Sequence, residues 1–470
     1  MYGGLLKSAS ALAIVAAAGL YGVSSASAAD LGGDCCADLE ERVAELEATT
    51  VRKGTRKVSV TISGQISQQL LFWDDGVSKD VYISGPTSSN SRWRITGSAK
   101  ISPEITAGFM YEFEAFGSSS ASQNQMNGTG PSNTVGSGFG DDGGATSANL
   151  RQHWAYVEHA RLGRVQMGFG GSEANNIILI DLSGKGMAAS NDVRLHNSSM
   201  RIAQGNGLYS SATWGTYFQG GSGDWLNERL DHISYRTPTI AGFTLGASFG
   251  EDNYWDVALR YAGEFNGIRI AAGLGYSVRS EYNNPTGENS MPTTGVGAGT
   301  IVCTANCDKE LRQLVGALSV RHMPTGLFFT GAFGERDYEN TQASISGGFA
   351  GARDFSASFF YLSGGVARNF FGIGDTVAYG EYSEWKGTSQ DTGVTTVVGP
   401  LGAGNSTAVG LSGDKVTHWG VGIVQNVDAA AMEFWLAYKT YSLDAAAFNR
   451  AGVGGAEDLH MFTAGTRIRF

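Results

Sequence analysis

Several common residue types are scarce in this chain, and each shortage excludes a class of protein. Only 8 of the 470 residues are proline and only 16% are charged, whereas 68 are glycine and 11% are aromatic. Many glycines and aromatics with few helix formers favour an all-β chain over a helical or α/β one. No segment beyond the first thirty residues is apolar enough to cross a bilayer as a helix, which argues against a helical membrane protein.

Cysteine and positive charge are scarce as well. The four cysteines form two close pairs, Cys35 with Cys36 and Cys303 with Cys307, and neither pair has further ligands at zinc spacing. We expect a disulfide between Cys303 and Cys307 in an oxidising compartment, and we expect neither metal nor cofactor. A net charge of -11 and a pI near 5.2 argue against nucleic acid as a partner.

The first residues have the pattern of an export signal. Lys7 precedes an apolar run from Ala11 to Val23, and small residues follow up to Ala28. The run is shorter than the roughly 20 residues of a spanning helix, so residues 1–28 are predicted to be a cleaved signal peptide rather than an anchor.

From Lys57 onward, apolar and polar residues alternate in sixteen short runs. In residues 268–279 every even position is apolar, and the odd positions are Arg, Ala, Gly or Ser. A period of two indicates a strand with two unlike faces. The predicted strands are 57–73, 91–102, 104–116, 149–160, 163–170, 229–237, 241–250, 254–264, 267–279, 309–322, 326–335, 355–370, 373–384, 415–428, 430–442 and 459–470.

The connections between these strands alternate in length. Tight turns such as Asn266-Gly267 alternate with mostly long segments rich in Gly, Ser, Asn and Thr. This rhythm is typical of an outer-membrane barrel, in which an even number of antiparallel strands closes without edges because lipid supplies no hydrogen-bond partners. The sequence therefore predicts an all-β transmembrane antiparallel barrel of 16 strands over residues 57–470.

A short helix is predicted before the barrel. Leu39, Val43 and Leu46 lie at heptad spacing among charged or small residues, and a basic stretch follows up to Lys57. Residues 29–56 are therefore expected to form a periplasmic, coiled-coil-like helix and a basic linker. The helix either associates with its copies in a trimer or rests on its own barrel, and the linker either meets anionic lipid headgroups or is simply solvated.

Both ends of the mature chain resemble one known family. The segment 38–50, the Arg-Lys linker and the strand Val58 to Gln65 resemble the start of alphaproteobacterial outer-membrane porins. The terminal Phe470, with alternating residues before it, resembles the signal read by the outer-membrane assembly machinery. The resemblance implies a 16-stranded, usually homotrimeric, general-diffusion barrel whose third extracellular loop folds inward to narrow the pore.

The third long connection is the longest in the chain. It spans approximately residues 171–228, between two predicted strands. A loop this long is unusual unless it has a function. The apolar run 177–180 could dock the loop inside the barrel, and its charged residues are the candidate constriction residues: Glu173, Asp181, Lys185, Asp192 and Arg194. Alternatively, 177–182 and 208–218 hide further strands, which would raise the count to 18.

Mechanism follows from the two faces of the strands. If apolar positions face lipid, the charged positions opposite them face a water-filled lumen. The predicted wall residues are Arg92, Arg94, Lys100, Glu112, Glu114, Arg164, Arg236, Arg260, Arg269 and Arg279, together with Arg312, Lys439 and Arg467. Set against loop carboxylates, they would orient dipolar solutes, although each arginine could instead brace the wall through an ion pair.

These patterns predict a channel rather than an enzyme. The expected function is passive diffusion of small hydrophilic solutes and ions across the Gram-negative outer membrane, in contact with its lipid and lipopolysaccharide. A substrate-selective channel would share this architecture, and an adhesin or structural barrel is a further alternative. The histidines show no H-E-x-x-H spacing. Residues 246–250 match the G-x-S-x-G nucleophile pattern, but they lie within an alternating strand that no helix follows, so no catalytic residue is proposed.

Overall fold

The computed structural model describes most of the chain from residue 58 onward. The described residues are 58–115, 123–126, 148–196, 199–219, 225–226, 229–251, 253–280, 310–342, 352–387, 395–398, 406–409, 415–444 and 455–470. The predicted signal peptide, the N-terminal helix with its linker, and both cysteine pairs lie outside these ranges.

Strands dominate the described part of the chain. They are β1 Ser59–Asp74, β2 Lys79–Ser84, β3 Arg92–Lys100, β4 Ile105–Ala115, β5 Ala148–His159, β6 Gly163–Gly171, β7 Arg201–Ala203, β8 Tyr209–Thr213, β9 Arg229–Arg236, β10 Phe243–Gly250, β11 Trp255–Phe265, β12 Ile268–Arg279, β13 Glu310–His322, β14 Leu327–Gln342, β15 Ala352–Arg368, β16 Thr376–Lys386, β17 Thr395–Val398, β18 Ser406–Val409, β19 Lys415–Val427, β20 Met432–Asp444 and β21 Leu459–Arg469. One α-helix, α1, spans Trp214–Gln219, and single 3₁₀ turns span Thr87–Ser89, Val193–Leu195 and Asp428–Ala430.

The large sheet closes into a ring. Each wall strand pairs antiparallel with the next, and β1 closes the ring by pairing with β21 from Gln65–Arg469 to Asp74–His460. Strands β2 and β3 occupy one position, because β1 pairs with β3 through its first half and with β2 through its second. The seventeen strands of the sheet therefore form a barrel of sixteen positions, which confirms the predicted all-β, 16-stranded antiparallel barrel.

Two small hairpins lie outside the barrel wall. β7 pairs with β8, and β17 pairs with β18, each as a separate two-stranded sheet. The alternative of eighteen wall strands is wrong: residues 177–182 form no strand, and β8 pairs only within its own hairpin. Residues 177–182 lack the alternation that a wall strand between lipid and water requires.

The two faces of the wall differ as the alternation predicts. In β10, Phe243, Leu245 and Phe249 are about half exposed, whereas Ser248 between them is buried. Exposed apolar side chains at alternate positions recur around the ring, so the outer face suits hydrocarbon. Within the described ranges, no helix has the length and hydropathy needed to span a bilayer.

The short turns set the register of neighbouring strands. Asn266 and Gly267 join β11 to β12 with positive φ angles of 50° and 73°. A two-residue turn with both φ angles positive matches the right-handed twist of a hairpin, and Asn-Gly is the pair that adopts it most readily. This turn holds Phe265 opposite Ile268, which aligns the apolar faces of the two strands.

Candidate functional site

The described residues of the long connection between β6 and β9 lie inside the barrel. We call residues 172–228 the inner loop. Its first residues are held against β9 to β11: the Glu173 backbone N–H donates to Ser248 Oγ at 2.7 Å, and Arg236 Nε donates to Glu173 Oε2 at 2.7 Å. Arg260 Nη2 donates to the carbonyl oxygens of Glu173 and Asn175 at 2.8 and 2.6 Å. These bonds turn the chain inward as soon as β6 ends.

An apolar patch docks the next segment on the wall. Ile177 and Ile178 are fully buried. Ile177 and Ile180 pack over β12, where Gly273 and Gly275 leave room for them. A Cβ on Gly275 would lie 2.6 Å from Ile177 Cδ1. Each such buried side chain contributes on the order of 1.5–3 kcal/mol, so the patch is a substantial anchor.

An ion pair and three hydroxyl groups fix the following turn. Asp181 Oδ1 lies 3.4 Å from Lys185 Nζ, and both side chains are almost fully buried. Ser183 Oγ and Thr330 Oγ1 donate to Asp181 at 2.8 and 3.0 Å, while the Leu182 N–H donates to Ser319 Oγ at 2.9 Å. Burial raises the pKa of Asp181, but Lys185 and these donors outweigh it and hold the pKa below its usual value.

Aromatic residues seat the last part of the loop. Trp214 and Phe218 of α1 lie 5.9 and 5.5 Å, centroid to centroid, from the Tyr441 ring of β20. Trp225 packs edge-on to Phe359 at 4.8 Å, on β15. Such pairs add about 0.5–1.5 kcal/mol beyond burial. The described part of the inner loop therefore contacts wall strands from β9 to β20, and it also bonds to Ser78 and Ser88 on either side of β2.

A buried polar cluster lies behind the middle of the loop. Glu381 of β16 accepts from Lys439 Nζ at 2.5 Å and from the Tyr361 hydroxyl at 2.7 Å, and His418 Nε2 lies 3.6 Å from it. His196 of the loop faces this cluster. Burial, followed by the charges of Lys439, His418 and Lys185, lowers the pKa of His196 well below 6.5.

The opposite wall carries a set of arginines. Arg92, Arg94 and Arg151 converge on Glu112, whose side chain is fully buried; Arg92 Nη1 lies 3.8 Å and Arg151 Nε 2.9 Å from Oε1, and Arg94 binds Oε2. Arg151 also pairs with Glu114. β4, at the centre of this group, lies eight positions around the ring from β14, which holds the inner loop through Thr330.

A second arginine pair joins this group. Arg92 Nη2 and Arg467 Nη1 both donate to Ser89 Oγ, at 3.1 and 3.2 Å. Arg467 and Arg469 share Glu433 at 2.7 and 2.9 Å. We call Arg92, Arg94, Arg151, Arg467 and Arg469 the arginine wall. It lines one side of the lumen, facing the inner loop.

A cavity lies between the inner loop and one mouth of the barrel. Its volume is about 460 Å³, and it is bounded by Ser89, Gly186, Arg321, Asp375 and Arg467, among others. Arg321 pairs with Asp375 at 2.6 Å. Polar walls and this size suit water and small hydrated solutes. The described residues contain no group of His, Cys, Asp or Glu arranged to hold a metal ion.

The structure buries all five residues that the sequence assigns to the constriction. Glu173 pairs with Arg236, Asp181 with Lys185, and Asp192 with Arg194 at 2.8 Å. These side chains hold the loop to itself and to the wall; their influence on permeating ions remains a prediction.

The ten predicted wall residues lie on the face opposite the exposed apolar residues. Several form local pairs, such as Arg164 with Glu158 at 2.6 Å and Arg269 with Glu264 at 2.9 Å. Arg279 lies over the Tyr254 ring at 5.3 Å, and Lys100 is exposed at the end of β3. The prediction for Arg312 is wrong: it alternates with the buried Leu311 and Gln313, so it lies on the outer face and pairs with Glu310 and Glu339. β14, on which Glu339 lies, is 16 residues long, longer than the 9–11 residues that cross a bilayer, so charged outward positions lie beyond the hydrocarbon.

Sequence reasoning missed Arg151 and Glu433. The register of β4 and β5 shifts between Glu112 and Phe113, so that Arg151 has no direct partner in the ladder. Such a bulge turns a side chain against the alternation. Glu433 follows the alternation of β20, where Phe434 and Leu436 are exposed, and this signal was available in the sequence.

Comparisons with known proteins agree with this architecture. Residues 10–309 match the family model described as Gram-negative porin. The fold is similar to that of an anion-selective porin from Comamonas acidovorans, with 15% identity, 88% of this chain and 100% of that chain covered, and a TM-score of 0.52. It is also similar to Pseudomonas putida OprB at high pH, with 10% identity, 96% and 100% covered, and a TM-score of 0.51. No curated protein matches the sequence.

Proposed function

The chain belongs to the Gram-negative porin family, and from that premise we propose which path solutes take through it. It is an outer-membrane β-barrel that forms a channel for passive diffusion of small hydrophilic solutes and ions, and its family and fold are those of a channel rather than an enzyme. The proposed path runs between the inner loop and the arginine wall, with the inner loop as the constriction.

One observation carries this proposal: the first segment of the loop, Glu173 to Lys185, is seated on one side of the ring. Its bonds to the wall run from Arg236 on β9 to Thr330 on β14, whereas the arginine wall lies on β3, β5 and β21. A loop packed against one side narrows the lumen and displaces the remaining water toward the other side. Solutes that keep their hydration shell would therefore pass along the guanidinium groups.

Cysteine modification tests this path. Gly186 lines the cavity beside the loop, whereas Asn206 lies exposed in the turn between β7 and β8. In a background with the four native cysteines replaced by serine, we expect a methanethiosulfonate reagent to reduce single-channel current at Gly186→Cys. Asn206→Cys should be modified with little change in current. Equal block at both positions, or none at Gly186→Cys, would contradict the proposed constriction.

Assembly forms the second part of the proposal. The resemblance of residues 38–65 to alphaproteobacterial porins supports that origin and a homotrimer, with the predicted signal peptide at 1–28 removed and the heptad of Leu39, Val43 and Leu46 in the periplasm. Barrel walls should supply most of the trimer contact. A variant lacking residues 30–50 is therefore expected to run as a heat-modifiable trimer in detergent; a monomer would make the helix the assembly element.

A further inference from the structure

The three described carboxylates of the inner loop contribute no exposed negative charge to the path. Glu173, Asp181 and Asp192 are each at most 5% exposed, and each is paired with a cation. They are the acidic residues of the loop within 172–196, 199–219 and 225–226; Asp224 and Glu228 lie outside those ranges. An ion beside this part of the loop therefore meets a surface with little net charge.

The arginine wall, in contrast, carries a net positive charge. Its five guanidinium groups share three carboxylates, Glu112, Glu114 and Glu433, which leaves a formal excess of two positive charges. The exposed groups are mainly cationic, since the side chains of Arg94 and Arg469 are 29% and 40% exposed and those of Glu112 and Glu433 only 0% and 3%. The carboxylates lie behind the guanidinium groups.

Nearby charges reduce this excess but do not cancel it. Arg321 and Asp375 at the cavity form a matched pair, as do Arg269 and Glu264. Asp428 adds one carboxylate to the cavity lining, so a formal excess of one positive charge remains. The net charge of -11 includes residues far from the path. Because the Debye length is about 8–10 Å at 0.1–0.15 M salt, an ion in the lumen responds to the nearest charges rather than to the whole chain.

We infer that this channel prefers small anions, such as chloride, carboxylates and phosphate, and that Arg94 is a main determinant of that preference. The inference rests on the proposed path between the inner loop and the arginine wall. Arg94 is the partly exposed member of the group around Glu112, and Arg92 and Arg151 still bind Glu112 when Arg94 is replaced. The charge of Arg94 can therefore be removed without leaving a buried carboxylate unpaired.

The reversal potential of the purified full-length porin in a planar bilayer, under a potassium chloride gradient, tests the inference. Wild type should give the sign of anion preference. Arg94→Gln should lower the anion-to-cation permeability ratio about two- to fivefold, the Coulomb effect of one charge acting in water over about 4–8 Å. Arg94→Lys should keep the wild-type ratio, which separates charge from shape.

Arg312→Gln is the matched control. It removes the same charge from the outer face, where Arg312 pairs with Glu310 and Glu339, and it should leave the ratio unchanged. A conducting wild-type channel that prefers cations, or an equal shift in both glutamine variants, would overturn the anion preference while the diffusion path stands. A purified barrel that carries no current would overturn the path and the preference together.

Discussion

The hydroxyl of Thr330 donates a 3.0 Å hydrogen bond to Asp181 Oδ1, across 149 residues of sequence. This bond joins the middle of the inner loop to β14, and the same carboxylate holds the buried Lys185. Asp181 therefore both neutralises Lys185 within the loop and ties the loop to the wall. Changes at Asp181 should move the loop rather than the barrel.

Asp181→Asn should release the inner loop. Lys185 would keep a fully buried charge without its ionic partner, and breaking a buried pair in this way costs about 3–5 kcal/mol. We expect noisier and larger single-channel currents with the barrel still folded. Adding Lys185→Gln to the same chain should restore quiet currents, because no buried charge is then left unpaired. Quiet currents in the single variant would show that the pair does not hold the loop.

Gly275→Val should weaken the apolar dock. Its side chain would collide with Ile177 and Ala174, where a Cβ already lies 2.6 and 3.1 Å from their atoms. Overpacking of this kind costs about 1–3 kcal/mol. Increased proteolysis of the inner loop in the folded barrel is the expected readout. Gly331→Val is the control, since its nearest neighbour is Leu362 Cδ2 at an ordinary 3.5 Å; similar proteolysis of both variants would argue against a specific dock.

The seat of the inner loop should depend on pH through His196. The Ser190 N–H donates to His196 Nε2 at 3.0 Å, which requires an unprotonated nitrogen. Burial and nearby positive charge lower the pKa of His196 well below 6.5, although part of its surface is exposed. In a released loop, His196 would bind a proton more readily than in the seated loop. The contribution of His196 to the stability of the seated loop is therefore full above pH 6.5 and decreases as the pH falls below that value.

Current noise recorded between about pH 7.5 and about pH 5.5 checks this dependence. Noise should rise toward the acidic end in wild type, and His196→Gln should flatten the profile. A profile as steep in His196→Gln as in wild type would assign the dependence to other groups. Asp181 adds a separate loss of stability at more acidic pH, below its usual pKa of 3.8, because its own pKa is lowered in the folded protein.

Phe470→Asp should impair assembly in cells more than refolding in detergent. The side chain is 65% exposed, and the backbone of Phe470 pairs with Gly64 at 2.8 and 3.1 Å. A charge near the membrane interface costs only about 0–1 kcal/mol, so the larger loss is expected from recognition by the assembly machinery. Folded barrel in outer-membrane fractions measures the effect, with Arg469→Gln as control. Equal yields of both variants would contradict this role for Phe470.

The alternation of residues was enough to predict the number of wall strands, because a strand between water and lipid imposes a period of two on every residue it contains. It also assigned Arg92, Arg94 and Glu112 to the same face, since strand geometry is local. The inner loop could be predicted from the length of the connection after β6, which is read directly from the spacing of the strands along the sequence. Each of these features can be read without knowing what lies across the barrel.

Only the tertiary structure decided how the charges are used. Asp181 and Glu173 lie in a loop without periodicity, and their partners Thr330 and Arg236 come from distant strands. The bulge that brings Arg151 to Glu112 depends on the pairing of β4 with β5. Ring closure determines which side of the lumen holds the loop and which side presents arginines. The sequence by itself determined the barrel and its two faces, because alternation is a property of single strands. The distribution of charge along the pore depends on contacts between residues far apart in the chain. Such contacts cannot be predicted from the pattern of residues within one strand.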